Sequence, residues 1–110
     1  MKGHLMEELK TLYREAMKNF RENKLNEAIG NLEKAIELDP GFANGLEALG
    51  EMYQRAQRLD DAIRVLQRFC EIAPDEVMGH TNLSRLYQKK GMIKEAEDEQ
   101  AKARLLSMKK

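Results

Sequence analysis

A 34-residue period is the feature that most constrains the fold of this chain. One pattern, first seen as Leu-Asn-Glu-Ala-Ile, occurs in three related copies, at 25–29, 59–63 and 93–97. Both intervals are 34 residues, so Ala28, Ala62 and Ala96 occupy one equivalent position. Self-similarity at a period of roughly 20 to 50 residues is typical of solenoids and related arrays. The chain is therefore predicted to be an array of three copies of one unit.

The spacing of the apolar residues predicts two helices in each unit. In the first unit they run from Leu9 to Phe20 and again from Leu25 to Ile36 at helical intervals. Pro40 and Pro74 each follow such a run, and proline ends one helix and starts the next because it lacks an amide hydrogen. Short polar breaks within each unit join antiparallel neighbours. The predicted helices span 5–22, 25–38, 42–55, 59–72, 76–89 and 93–108.

Small residues recur at one position in each helix of the unit. In the first helix they are Ala16, Gly50 and Ser84. In the second helix they are Ala28, Ala62 and Ala96. We expect the two helices of a unit to approach closely at these positions, because a larger side chain would force the pair apart.

The composition excludes several classes of function. The chain is 42% hydrophobic and 35% charged, which is typical of exposed amphipathic helices. Lys plus Arg and Asp plus Glu balance at 19 each, so nucleic acid is not expected as a partner. The sequence has no apolar run of about 18 residues and no secretory segment, so we expect no membrane insertion. Cys70 is the only cysteine, which favours a reducing compartment such as the cytoplasm.

The middle unit, 43–76, carries a set of residues in a recognisable order. They are Leu46, Leu49, Gly50, Tyr53, Leu59, Ala62, Leu66, Phe69 and Pro74. This pattern resembles the tetratricopeptide repeat, and the resemblance covers residues 9–110. It implies an all-α solenoid of that type, with six antiparallel helices in three helix-turn-helix repeats. The repeats would span 9–42, 43–76 and 77–110 after an extension of the first helix at 1–8, as a single domain over 1–110.

The two end units depart from the pattern. The first has Glu15 and Asn19 where a large apolar residue and an aromatic are usual, and Phe20 comes one position late; its first helix is a candidate for rotation. In the last helix, polar residues replace the stacking residues of the middle unit. They are Glu97, Gln100 and Arg104 in place of Ile63, Leu66 and Cys70. Polar terminal faces are expected where an array ends, although Leu105, Leu106 and Met108 still need cover. A fragment of a longer protein is the alternative.

An enzyme is not expected, because the catalytic inventory is small. His4 lies in an N-terminus that we expect to fray, and His80 replaces a core leucine, which favours a structural role. Cys70 aligns with Ile36, which favours a buried and inert thiol. Adjacent acids such as Asp60 and Asp61 lie at helix starts, where they offset the helix dipole. No metal motif or phosphate loop occurs, so no cofactor and no metal site are predicted.

The resemblance implies that the first helices line a concave groove that receives an extended peptide or a helix of a partner protein. The residues at groove positions are Lys10, Tyr13, Met17, Phe20, Arg21, Asn44, Glu47, Glu51, Gln54, Arg55, Met78, Thr81, Arg85, Gln88 and Lys89. Their character changes from apolar through acidic and mixed to basic. Tyr13, Met17 and Phe20 are the predicted anchor, although Tyr13 or Phe20 could equally pack against its own second helix.

Some members of the family hold a terminal carboxylate with lysine, arginine and asparagine at set positions. Here those positions are Tyr13, Met17, Ala48, Met78 and Asn82. Only the asparagine matches, so a carboxylate clamp is not expected.

Two further interpretations remain open. Residues 77–110 carry eight basic and four acidic side chains, so an acidic partner at Arg85, Lys89 and Lys90 is a minor alternative. The main alternative to peptide binding is a self-assembly module, in which the first helix, from Leu5 to Phe20, stacks on another copy as a homo-oligomer.

Overall fold

The computed structural model describes the backbone of residues 2–109, which form six α-helices and no strand. The helices are α1 (Lys2–Arg21), α2 (Leu25–Leu38), α3 (Ala43–Arg55), α4 (Leu59–Ile72), α5 (Val77–Lys89) and α6 (Ile93–Met108). The all-α prediction and its six helices are confirmed. The predicted start of the first helix was wrong: α1 begins at Lys2 instead of at residue 5, so His4 lies within the helix.

The helices pack in chain order. The members of each pair, α1 with α2, α3 with α4 and α5 with α6, form the main contacts, while α2 with α3 and α4 with α5 join one pair to the next. The fold is elongated, with principal extents of 40 × 29 × 20 Å. Pro40 and Pro74 lie in the turns between pairs, as predicted. Because the main contacts of each pair are with its neighbours in sequence, the described part of the chain is a solenoid.

One backbone conformation ends the first helix of every pair. Asn23, Gln57 and Gly91 have φ values of 62°, 61° and 78°, in the left-handed region that commonly ends helices. In each turn the next amide donates to a carbonyl five residues back, and all three N···O distances are 2.8 Å. Only Gly91 adopts this conformation without a steric cost, whereas Asn tolerates it and Gln is held there by the flanking helices.

The predicted close approach within each pair is present at all three repeats. Ala16, Ala28 and Ala62 are fully buried. Ser84 is also buried, and its hydroxyl donates to the carbonyl of Ala96 at 2.8 Å. At Gly50 the neighbour is Leu66, one turn beyond Ala62: a Cβ on Gly50 would lie 2.8 Å from Leu66 Cγ. The small residues therefore make room both for a backbone contact and for a core leucine.

Tyrosine hydroxyls link successive helix pairs. Tyr53 on α3 donates to the Glu33 carboxylate on α2 at 2.5 Å, and one period later the hydroxyl of Tyr87 accepts from the amide of Gln67 at 2.7 Å. Burial and the Glu33 contact raise the pKa of Tyr53 well above its usual range. The equivalent residue in the first pair is Asn19, which instead accepts a hydrogen bond from Asn31 of its own pair at 2.8 Å. Within the described chain no helix pair precedes it, so an aromatic there would have no such partner.

Replacing Ala62 by leucine is expected to lower the free energy of unfolding by about 1 to 3 kcal/mol, because the extra carbons would overpack a fully buried position. Chemical denaturation followed by circular dichroism measures the change. Ala101→Leu is the matched control, since Ala101 is exposed on α6; an equal loss in both variants would contradict the close-packing account.

Removing the hydroxyl in Tyr53→Phe is expected to destabilise the chain by about 1 kcal/mol, because it leaves the contact with Glu33 unmade. A double-mutant cycle with Glu33→Gln isolates the pair. Additive losses from the two changes would show that the hydroxyl and the carboxylate do not interact.

Candidate functional site

The first helices of the three pairs surround one concave depression of about 750 Å³. Its walls are formed by Tyr13, Met17, Phe20, Glu47, Ala48, Glu51, Met52, Gln54, Arg55, Met78, Asn82, Arg85 and Lys89. We call this surface the groove. It brings together most of the residues that the sequence placed at groove positions, although no contact with a partner tests their role.

The apolar end of the groove is built on α1. Tyr13, Met17 and Phe20 are half-buried. The Tyr13 ring meets Phe42 edge-to-face, with centroids 5.8 Å apart. The guanidinium of Arg55 lies 4.9 Å from the centre of the Phe20 ring, a cation–π distance. The Tyr13 ring therefore contacts the residue just before α3 and the Phe20 ring contacts α3 itself, and each still keeps part of its surface open to the groove.

The middle of the groove, on α3, is acidic. Glu47 and Glu51 are exposed, and Arg55 Nη2 lies 3.3 Å from Glu51 Oε2. An exposed pair of this kind contributes roughly 0 to 1 kcal/mol, so a ligand can replace it at little cost. Arg55 thus touches both the acidic floor and the aromatic end, which makes it the side chain that connects the two.

The far end of the groove, on α5, is basic. Arg85 and Lys89 are exposed, and Arg85 makes only a long contact of 3.4 Å to the side-chain oxygen of Asn82. Met78, which is 54% exposed, lies beside them as an unbranched apolar side chain. The groove therefore presents apolar, acidic and basic sections in the order of the chain.

The remaining predicted residues line other surfaces. Arg21, Asn44 and Lys10 border a neighbouring depression of about 580 Å³ that shares Tyr13 and Met17 with the groove. Thr81 and Gln88 line a separate depression of about 340 Å³ between α5 and α6, which shares Arg85 with the groove. The Thr81 hydroxyl donates to the Val77 carbonyl at 3.1 Å.

Sequence reasoning missed three groove residues as binding candidates. Ala48 and Asn82 entered only as positions of an absent carboxylate clamp, and Met52 was not considered. Asn82 lies one helical turn after Met78, on the same face of α5, and this periodicity was a signal that could have found it. Met52 is 2% exposed and supports the groove from beneath.

The outer face of the last pair is polar, as the sequence predicted. Gln100 and Arg104 border the depression against α5, and Glu97 is exposed. Leu105 and Met108 are 61% and 74% exposed, so the described residues leave them uncovered.

Few groups in the described chain have the chemistry of catalysis. His4 is exposed on α1, whereas His80 is buried on α5. Burial, together with the nearby Glu99 carboxylate, raises the pKa of Cys70 to about 11, so the free thiol stays protonated near neutral pH. Cys70, His80 and Glu99 form the group whose donor atoms could hold a metal ion, and none of the three lines the groove. Within residues 2–109, no helix combines the length and apolarity that crossing a bilayer requires.

The comparisons with known proteins agree on the fold. Residues 18–57 match the sequence model of the TPR repeat. The crystal structure of MamA is similar with a TM-score of 0.88 and 26% identity over 92% of this chain and 59% of that one. MamA from Desulfovibrio magneticus RS-1 has a TM-score of 0.85 and 22% identity over 93% of this chain and 58% of that one. The CopN-Scc3 complex has a TM-score of 0.88 and 15% identity over 93% of this chain and 60% of that one. The similarity to the last two structures, at 22% and 15% identity, shows a shared fold and nothing more.

The chain spans about three fifths of the length of these solved chains. No curated protein matches its sequence.

Sequential packing of three antiparallel helix pairs defines an α-helical solenoid of short repeats. The repeat match over residues 18–57 and the structural likeness show that the chain contains a TPR repeat and has the fold of the tetratricopeptide-repeat family. Domains of this family generally serve as protein-interaction modules and are typically non-catalytic.

Proposed function

We propose that this chain is a non-catalytic module that binds a peptide or a helix of a partner protein in the groove. The observation that carries the proposal is the convergence of α1, α3 and α5 on one depression of about 750 Å³ with exposed apolar and charged side chains. A binding surface needs apolar anchors for affinity and charges for orientation. Met17 and Met78 supply adaptable apolar contacts at its two ends.

The charges of the groove favour one class of ligand. Glu47 and Glu51 attract a basic side chain, whereas Arg85 and Lys89 attract an acidic one. A ligand that carries an apolar, a basic and an acidic residue in this order along its length would meet all three sections. The division into repeats 9–42, 43–76 and 77–110 belongs to this proposal, since each repeat contributes one section.

The proposal includes a location. A single, half-buried cysteine suits a reducing compartment, and we assign the protein to the cytoplasm on that ground. Nucleic acid is not part of the proposal, because the charges of the whole chain balance.

A random peptide library displayed on phage and selected on the immobilised protein tests the groove. We expect the enriched peptides to share an apolar, a basic and an acidic position. Affinity for a synthetic copy is expected to fall at least about tenfold in Met17→Ala and in Arg85→Glu, since each removes one section of the surface. Tyr13 is left intact because its ring packs on Phe42. Fluorescence anisotropy measures each affinity.

Arg68→Glu is the matched control. It makes the same charge reversal on α4, where Arg68 is exposed and lies outside the groove. The control should bind like the wild type, and all variants should keep their melting temperatures within a few degrees, as is usual for surface changes. Peptides that bind Arg85→Glu as well as wild type would refute the groove. If no peptide is enriched and the molar mass rises with concentration, self-assembly becomes the better account.

A further inference from the structure

Three groups that commonly bind metals meet on the side of the second and third repeats, outside the groove. Cys70 Sγ on α4, a ring nitrogen of His80 on α5 and a carboxylate oxygen of Glu99 on α6 all lie within 4.8 Å of one another. His80 is 7% exposed, and the Glu99 side chain is 13% exposed. The cluster is therefore a nearly buried set of sulfur, nitrogen and oxygen donors from three helices.

The same positions are apolar one repeat earlier. One period of 34 residues before Cys70, His80 and Glu99, the chain has Ile36, Leu46 and Val65, which belong to the apolar core or pack against it. Burial of polar groups costs free energy that an apolar cluster avoids. All three positions of this junction nevertheless carry metal-ligating side chains, so core packing by itself does not account for them.

The contacts of His80 fix the orientation of its ring. Its Nε2 lies 3.0 Å from the Pro74 carbonyl oxygen, and its Nδ1 lies 2.7 Å from Glu99 Oε1. A carbonyl only accepts, so Nε2 must carry the hydrogen. Nδ1 is therefore the ring nitrogen that faces the Glu99 carboxylate, and it is the atom that can serve as a metal donor when it carries no hydrogen. A carbonyl that holds the far N–H is also the usual outer-shell partner of a metal-bound histidine.

We propose that Cys70, His80 and Glu99 bind a divalent metal ion of the zinc class. A thiolate, an imidazole and a carboxylate together suit Zn²⁺, and three protein ligands leave a fourth position for water. In a zinc tetrahedron the ligand atoms are about 3.3 to 3.8 Å apart. Side-chain rotations that move the three donor atoms by about an ångström would therefore complete the site. The three groups border a cavity of about 540 Å³, which gives the ion and its water access.

Binding is an exchange of a proton for a metal ion, without oxidation or reduction. As the sulfur–metal bond forms, the Cys70 thiol releases its proton to solvent, while the His80 Nδ1 lone pair and one Glu99 oxygen complete the protein ligands. Lys102 Nζ, 3.1 Å from Glu99 Oε2, stays on the other carboxylate oxygen and orients it. The ion would join α4 to α5 and α6, so it would fasten the third repeat to the second without entering the groove.

Cobalt is the probe for the test, because its thiolate complexes absorb in the near ultraviolet. The full chain without a histidine tag, treated with chelator and reductant, is titrated with Co²⁺. We expect one equivalent to bind with a thiolate-to-cobalt charge-transfer band. Zn²⁺ should displace it, and saturating Zn²⁺ should raise the melting temperature, because the ion binds the folded state. Absence of the band in the wild type would overturn the proposal and leave His80 and Glu99 as a buried ion pair.

The chain supplies its own control substitutions. Cys70→Ile and His80→Leu introduce the residues found at the equivalent positions of the earlier junction, so both variants should fold. We expect each to lose the band, and Glu99→Gln to bind at least about tenfold more weakly than the wild type.

His4→Ala, which removes the other histidine from its exposed position, should bind like the wild type. A band that survives in folded His80→Leu, or one that disappears in His4→Ala, would place the metal elsewhere and refute the assignment. None of these readouts involves the groove, so the site and the proposed peptide binding stand or fall separately.

Discussion

The close contact between the two helices of each pair is the constraint on which the rest of the molecule depends. Ala16 and Ala62 are fully buried, and Ser84 reaches the backbone of the facing helix. With a small residue at Gly50, the larger Leu66 can fill the space between the two helices of its pair. The groove is a consequence of this packing, because α1, α3 and α5 converge on one depression while each is held against the second helix of its own pair.

The two junctions between repeats have the same geometry and different chemistry. Both carry a tyrosine hydrogen bond to the preceding pair, from Tyr53 to Glu33 and from Gln67 to Tyr87. Behind this shared contact the first junction is apolar, whereas the second contains Cys70, His80 and Glu99. In a solenoid each interface contributes nearly independently to stability. Polar donors can therefore replace core residues at one junction while the other retains its apolar packing.

Much of the fold was predictable because the period and the helical spacing are local properties of the sequence. The bounds of α2, α4 and α6 match the predicted ones. The start of α1 was missed because the residues before Leu5 have no apolar repeat to mark a helix. Asn19 departs from the aromatic pattern of the other repeats, and its contact with Asn31 could not be read from the sequence because it depends on how α1 packs on α2. The metal-ligating cluster was not predicted, because Cys70, His80 and Glu99 are far apart in sequence and each alone resembles a core or surface residue.

The composition of the groove was predictable, but the side-chain contacts within it were not. Helical periodicity gives the face on which Phe20 and Arg55 lie, whereas their cation–π contact depends on how far one pair is displaced against the next. That contact matters for binding, because Arg55 also pairs with Glu51. A ligand that approaches the acidic section must compete with Arg55 for Glu51, and one that approaches the aromatic end must displace Arg55 from Phe20. Arg55 makes both contacts at once, so in the proposed binding the occupation of either section would alter the other through this one side chain.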